Sequence, residues 1–269
     1  MTSAMALVLV PMINEHSTPT VSPTASTELL AEIGDYFFRI IPVSSDAAVK
    51  TARYAYNEKN YRKLFVVYDK SNSGYTLPWF EKLKTTFEEF ENGKVEDLSY
   101  TSTSSYNFLE MARNISKKNV DCLVILANSL DTALISQQLS KLGVKVPILA
   151  CEWSLTDDIV EFGGKAVEGI TLFHSFDPNS DKKSNMEFNL NFQKRFGYDA
   201  DFASAYGYNA MKILIGALKD SLAAEQVKKN LLDNSPYQGV QHEVRFNSYG
   251  DVIREYTLLK IEHGKIISL

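Results

Sequence analysis

The sequence predicts an α/β protein whose main sheet is built from parallel strands. Short runs of consecutive apolar residues recur along the chain, as at 64–68, 122–127 and 146–150. Stretches with apolar residues at helical spacing separate these runs. Strands that helices cover on both faces carry such uninterrupted apolar runs. The chain has 269 residues, which is enough for one large or two medium domains with real hydrophobic cores.

Residues 44–177 alternate predicted helices and strands with little interruption. Ser44 and Ser45 can cap a first helix, Pro78 suits the first turn of a second, and Gly143 can end a later one. This order predicts a parallel sheet, because each helix returns the chain to the start of the next strand. The strands are predicted at 64–68, 94–100, 122–127, 146–150 and 169–173, with helices around Ala52, Leu83, Ala112 and Leu139 and at 156–162.

The flanking segments have a different pattern. They contain a helix and short strands before residue 42, and three long helices after residue 184. Neither segment alternates enough to form a complete sheet, so we expect them to combine into one lobe. We assign residues 1–43 with 178–247 to lobe I, and 44–177 with 248–269 to lobe II. The predicted elements are strands at 20–22 and 37–41, helices at 185–196, 202–222 and 223–232, and strands at 240–246 and 253–261 joined by a turn at 248–251.

Composition and motifs exclude several functional classes. The formal net charge is −5, without basic clusters, whereas a nucleic-acid surface needs a concentrated positive patch. No apolar run approaches the roughly 20 residues of a membrane span, so we expect no direct membrane insertion. The glycine-rich dinucleotide and nucleotide motifs and the nucleophile elbow of serine hydrolases are absent from the sequence.

Histidines and cysteines give no catalytic or metal-binding pattern. The four histidines are scattered without partners at ligand spacing, and structural roles are expected for them. Cys122 lies within an apolar run and Cys151 at the end of one, which favours buried free thiols. We therefore expect no catalytic residue, no metal and no cofactor. An enzyme on a flavodoxin-like sheet would need a nucleophile–base pair or a phosphate loop, and the sequence has neither.

Four loops deserve scrutiny, because ligands of open parallel sheets bind beyond the carboxyl ends of the strands. They lie at 22–27, 69–75, 127–129 and 151–154. The first is a run of hydroxyl-bearing residues that can hold a carboxylate, or can simply cap a helix. The last places Glu152 and Trp153 at a strand exit, where a lone glutamate is also common as a surface or capping residue.

Several stretches of the sequence resemble the type I periplasmic binding proteins. The branch most similar in pattern is that of the branched-chain amino-acid receptors (Leu/Ile/Val-binding) of ABC importers. The resemblance covers almost the whole chain, and the order of elements is more specific than any one motif. It implies two α/β lobes of flavodoxin-like parallel sheets joined by three hinge crossovers, with the ligand held between the lobes. The stretches are 21–26, 38–40, 52–56, 66–69, 163–173, 198–208, 237–239 and 250–251.

The resemblance also implies binding residues. Ser3 and Ser26 align with hydroxyls that bind the carboxylate of the ligand, and Ala25 aligns with a position that binds it through the backbone. Glu152 falls where the receptors keep an acidic residue for the α-ammonium group. A carboxylate paired with a bound cation in a cleft is a strong, charge-assisted contact.

The sequence departs from the family pattern around the ligand side chain. Ser73 occupies a position that is usually aromatic, with Tyr75 two residues later. Asn128 and Ser129 lie where aromatic residues or glycine are common. These changes argue against a purely aliphatic pocket, and Trp153 can supply an aromatic wall or can simply be packed.

The resemblance implies a receptor that is not an enzyme and that closes on a small amino-acid-like or carboxylate ligand. Its partner would be the membrane permease of an ABC importer, and its location periplasmic or extracellular. The alternative is the same module acting as the ligand-sensing domain of a signalling system. Family members carry about two further βα units before the position of Met1, so we expect the first lobe to be incomplete.

Overall fold

The computed structural model describes residues 1–103, 105–156, 158–219 and 221–269. The chain divides into two compact units, and it passes from one to the other three times. Unit 1 comprises Met1–Ser44 and Ser175–Glu255. Unit 2 comprises Ser45–His174 and Tyr256–Leu269.

The described part of unit 2 contains a seven-stranded mixed sheet. Its strand order is β11-β10-β7-β6-β5-β3-β4, in which β3 to β7 run parallel and β10 and β11 run antiparallel at one edge. The predicted α/β class with a parallel sheet is confirmed. The strands are β3 (Lys63–Asp69), β4 (Lys94–Tyr100), β5 (Cys122–Leu126), β6 (Ile148–Ala150), β7 (Thr171–His174), β10 (Thr257–Glu262) and β11 (Lys265–Ser268).

Helices cover both faces of this sheet. Successive side chains of each buried strand point to opposite sides, so each strand contributes apolar side chains to both cores. On one face, Val66 and Val124 pack with Trp79 of α3. On the other face, Phe65 and Ile125 belong to the cluster formed with α4 and α5. The helices are α2 (Ser45–Arg53), which continues as a π-helical turn, α3 (Ser73–Glu88), α4 (Phe108–Ile115), α5 (Ser129–Lys141) and α6 (Asp158–Gly163).

Most predicted elements of unit 2 are present, with shifted ends. Helix α3 begins at Ser73 rather than near Thr76, and α6 begins at Asp158, while Asp157 lies outside the described residues. The predicted strands at 240–246 and 253–261 overlap β9 and β10 but do not pair with each other. Phe246 forms an isolated bridge with Val252, and β10 pairs with β7 after the chain leaves unit 1 at Glu255.

Unit 1 combines short strands with four helices among its described residues. Strands β1 and β2 form a parallel pair, and the long helix α8 packs beside them with α9. None of the described helices of the chain is long and apolar enough to cross a membrane. The elements are α1 (Ser3–Glu15), β1 (Thr20–Ser22), β2 (Phe37–Arg39), α7 (Lys183–Phe196), α8 (Phe202–Leu218), α9 (Ala224–Asp233), β8 (Tyr237–Gln238) and β9 (Glu243–Val244).

A buried ion pair connects the two chain segments of unit 1. The Arg39 Nε atom lies 2.6 Å from Asp251 Oδ1, and the arginine side chain has no exposed surface. The other Asp251 oxygen accepts a hydrogen bond of 2.7 Å from the Glu32 backbone N–H. Gly250 precedes the aspartate with φ of +83° and lies against the Phe38 ring, where a Cβ atom would clash. Glycine is therefore required for this approach.

This pair explains where unit 1 ends. Residues 248–269 were assigned together to lobe II, but 248–255 lie in unit 1 and only Tyr256–Leu269 joins unit 2. Asp251 is held by Arg39, and Phe246 bridges Val252, so the turn belongs to the unit that contains β2.

We expect Asp251→Asn to destabilise the protein by about 3–5 kcal/mol, because it leaves the Arg39 charge buried without its partner. Urea unfolding followed by circular dichroism measures this change. Glu243→Gln is the control, since the Arg245–Glu243 pair is exposed and its loss should change stability by less than about 1 kcal/mol. Equal effects of the two substitutions would contradict the assignment.

Candidate functional site

The residues of unit 2 that were expected to bind a ligand follow the carboxyl ends of β3, β5 and β6. A single helical turn, Glu152–Ser154, follows β6 directly. The Ser154 hydroxyl donates to the Ala127 carbonyl oxygen at 2.9 Å, which ties this turn to the loop after β5. Thr132 and Ser154 hydroxyls are 3.0 Å apart and strengthen the same connection. The loops after β5 and β6 are therefore connected to each other at the carboxyl edge of the sheet.

Glu152 is a buried carboxylate at this edge, with 8% of its surface exposed. The Tyr75 hydroxyl donates to its Oε2 atom at 2.8 Å, and the Trp79 indole Nε1–H donates to the same atom at 3.0 Å. Tyr75 and Trp79 are four residues apart on α3, so both project from one face of the helix. The Trp153 ring meets the Tyr75 ring edge-on, with centroids 6.1 Å apart.

Burial raises the pKa of Glu152 to about 7. The Glu152 backbone N–H and the Tyr75 and Trp79 donors oppose this rise, because hydrogen bonds to the ionised form favour it. Burial also raises the pKa of the Tyr75 hydroxyl well above its ordinary value, so Tyr75 remains a donor. No cationic side chain among the described residues forms an ion pair with Glu152. This carboxyl group is thus poised between its two protonation states near neutral pH.

The structure brings together only some of the residues expected in unit 2. Tyr75, Glu152 and Trp153 form one group. The Asn128 side chain accepts a hydrogen bond of 2.8 Å from the Asp131 N–H and so caps α5, and Ser129 is the buried first residue of that helix. Ser73 is the exposed first residue of α3.

The expected carboxylate-binding residues of unit 1 lie around the 22–27 loop and the start of α1. Ser3, Ala25 and Ser26 are all buried. The Ala25 backbone N–H donates to the Ser22 hydroxyl at 3.2 Å, so this loop already engages one of its own donors. Arg39 Nη1 donates to the Thr27 carbonyl oxygen at 2.6 Å and fixes the end of the loop.

Trp79 is the site residue that sequence reasoning missed. Its spacing of four residues from Tyr75 was the available signal, because residues i and i+4 share a helix face. The partner, Glu152, is 73 residues away in the sequence, so nothing local indicated the hydrogen bond. No group of three or more side chains able to hold a metal ion occurs within the described ranges.

Two α/β units joined by three crossings of one chain, with a buried polar group at the carboxyl edge of a sheet, are typical of solute-binding receptors. This chain belongs to the periplasmic binding protein family, whose model matches residues 1–265. The family and the similar structures are solute-binding receptors rather than enzymes, and the family is extracytoplasmic.

Individual relatives are distant in sequence and similar in fold. The "Leu/Ile/Val-binding protein homolog 1" of Brucella abortus (strain 2308) is 22% identical over 255 residues, which is 93% of this chain and 67% of the relative. The leucine binding protein LivK of Thermotoga maritima superposes with a TM-score of 0.91 at 21% identity, covering 100% of this chain and 77% of that one. A solute binding protein from R. palustris in complex with benzoate gives 0.88 at 17% identity, covering 99% and 74%.

We expect Trp79→Phe to raise the pKa of Glu152 further, because it removes a hydrogen bond to the ionised carboxylate while keeping an aromatic ring. Carbon-detected NMR titration of the glutamate carboxyl groups measures the shift. Trp153→Phe is the matched control and should leave this pKa unchanged, since the Trp153 contact is to the Tyr75 ring. An unchanged or lower pKa in Trp79→Phe would refute the role of the indole.

Proposed function

We propose that this protein is an extracytoplasmic receptor that binds a small amino-acid-like or carboxylate ligand and delivers it to the membrane permease of an ABC importer. The proposal rests on the family to which the chain belongs and on one observation of its own site. That observation is the Glu152 carboxylate, which is buried, is hydrogen-bonded by Tyr75 and Trp79, and has its pKa raised by burial to about 7.

A ligand ammonium group is the natural partner for this carboxylate. Burying an ionised carboxylate without a cation is unfavourable, which is why burial raises the pKa of Glu152. A bound ammonium would supply the missing charge and form a charge-assisted hydrogen bond. Tyr75 and Trp79 occupy one oxygen of the carboxylate, so they hold its orientation without neutralising it.

The other residues have supporting roles in this proposal. Trp153 and Tyr75 provide aromatic surface beside Glu152, and Asn128, Ser129 and Ser73 provide polar groups at the same edge of the sheet. In unit 1, we assign the ligand carboxylate to Ser3, Ala25 and Ser26. Support for that assignment is the concentration of hydroxyls and backbone N–H groups in the 22–27 loop.

The similar structures make two ligand types reasonable probes. One similar protein is a leucine binding protein, and another is in complex with benzoate. The two ligands share a carboxylate, and only leucine has an ammonium group. They therefore separate the two halves of the proposed recognition.

We expect Glu152→Gln to weaken leucine binding by roughly 2–5 kcal/mol, the range for truncating one partner of a buried charge pair. Benzoate binding should change far less, because benzoate has no ammonium group. Isothermal titration calorimetry at pH 8 measures both. Glu161→Gln, at an exposed position of α6, serves as the control. Equal losses for the two ligands, or no loss for either, would remove Glu152 from the site.

Leucine affinity should also depend on pH. Only ionised Glu152 pairs with an ammonium, and its pKa is about 7, so affinity should rise as the pH rises. The ionised fraction changes roughly tenfold between pH 6 and pH 8, and the apparent dissociation constant should fall by about the same factor. Calorimetry across this range gives the profile. Glu152→Gln should flatten it, and an equally steep profile in that variant would refute the assignment.

A further inference from the structure

Arg254 is a second arginine of unit 1 that the site described above does not use. Its side chain is partly buried, and its Nε and Nη2 atoms are shielded from solvent without a hydrogen-bond partner among the described residues. Arg39, in the same unit, has the Asp251 carboxylate at 2.6 Å. The described residues include no acidic group within 4.0 Å of Arg254.

The surroundings of Arg254 hold its guanidinium in place beside one further cation, Lys182, and two acidic groups, Asp177 and Glu255. The group lies over the Tyr206 ring, 5.3 Å from the centroid, and the Tyr206 hydroxyl is 2.8 Å from the Ser175 hydroxyl. Burial lowers the pKa of His242, and the nearby positive charges of Lys182 and Arg254 lower it further. His242 is therefore neutral at pH 7. Asp177 and Glu255 are the acidic groups of the same neighbourhood, and their effect on His242 is smaller.

Lys182 is already engaged, whereas the Nε and Nη2 atoms of Arg254 have no hydrogen-bond partner among the described residues. The Lys182 ammonium donates to the Gln241 carbonyl oxygen at 2.6 Å. The Nε and Nη2 atoms of a guanidinium share one edge, and their N–H groups point in the same direction. That edge matches the two oxygens of a carboxylate, which it binds with two parallel hydrogen bonds. Donors that are buried without an acceptor are unfavourable, so the Nε and Nη2 edge favours a ligand that supplies two acceptor oxygens.

We propose that Arg254 binds the carboxylate of a small organic acid or amino acid through its Nε and Nη2 edge. The identity of that acid as the transported ligand rests on the proposed function. The binding chemistry itself does not, because a free carboxylate such as acetate presents the same two oxygens. Arg254 is the penultimate residue of unit 1 before the chain crosses to unit 2, and Ser175 is the first residue after the preceding crossing. The bound carboxylate would thus lie on unit 1, close to both ends of its second segment.

The first experiment follows the arginine Nε–Hε signals by NMR while sodium acetate, benzoate or leucine is added. We expect the Arg254 signal, assigned by its loss in Arg254→Lys, to move downfield with each carboxylate and to saturate. Sodium chloride at equal ionic strength should leave it in place. Absence of a shift with all three carboxylates, or the same shift with chloride, overturns the proposal.

Competition separates the two sources of the carboxylate. If leucine moves the Arg254 signal and acetate then has no further effect, Arg254 binds the ligand carboxylate, and this outcome replaces its assignment to Ser3, Ala25 and Ser26. If acetate still titrates Arg254 in the presence of saturating leucine, the site binds a separate organic anion. Both outcomes support a carboxylate at Arg254. Only the first joins it to the proposed receptor function, whose own test is the Glu152→Gln substitution.

The second experiment measures benzoate and acetate binding to Arg254→Lys by calorimetry. Lysine keeps the positive charge but lacks the two parallel N–H donors of the guanidinium, so we expect the affinity for benzoate and acetate to fall by at least about fivefold. Arg245→Lys is the matched control, because Arg245 is exposed. A smaller loss, a loss equal to that of the control, or a failure of Arg254→Lys to fold would show that Arg254 is a structural residue and overturn the proposal.

Discussion

The ion pair between Arg39 and Asp251 is the interaction on which unit 1 depends. It joins β2, near the start of the chain, to a turn near its end, and both charged groups are removed from solvent. Isolated charges are costly to bury, and the ion pair together with further hydrogen bonds to the guanidinium and the carboxylate offsets part of that cost. Arg39 also donates to the Thr27 carbonyl oxygen, while Asp251 accepts from the Glu32 N–H. The 22–27 loop of the proposed carboxylate site is therefore positioned by the same contact that closes the unit.

Unit 2 places its buried charge differently. Glu152 receives two neutral donors and no cation among the residues described. Two hydrogen bonds hold the carboxylate in orientation but do not offset the full penalty of burying its charge, so its pKa lies near 7. The contrast between the two units has a simple physical reading. A buried charge paired with an opposite charge of the protein stabilises the fold, whereas a buried carboxylate without a cation is available to a ligand.

The parallel core was predictable because its signal is local. Apolar strands and amphipathic helices can be recognised within a few residues, and β3, β5 and β6 followed from that pattern. The antiparallel edge was not predictable in the same way. Strand β10 was predicted only as part of a strand at 253–261 that follows a turn, and β11 was missed. Pairing with β7 depends on where the chain crosses between units.

The candidate site shows the same division between local and distant information. Glu152 was singled out at a strand exit, and its role as a ligand residue was implied by the family resemblance; Tyr75 was singled out in its loop. Trp79 escaped because its role depends on a residue that is distant in sequence. Asp251 lay in a recognised turn, but a turn motif does not reveal that its carboxylate meets a buried arginine. Arg254 stands out only when the partners of every other buried charge are known.

The position of β10 in the sheet has a consequence for synthesis. Strand β7 pairs with β6 on one side and with β10 on the other, yet the whole second segment of unit 1 is translated between β7 and β10. A nascent chain that has built β3 to β7 therefore exposes an unpaired strand edge, which readily pairs with other chains. The two units must mature in an interleaved order, because the strand that seals this edge emerges only after the second segment of unit 1.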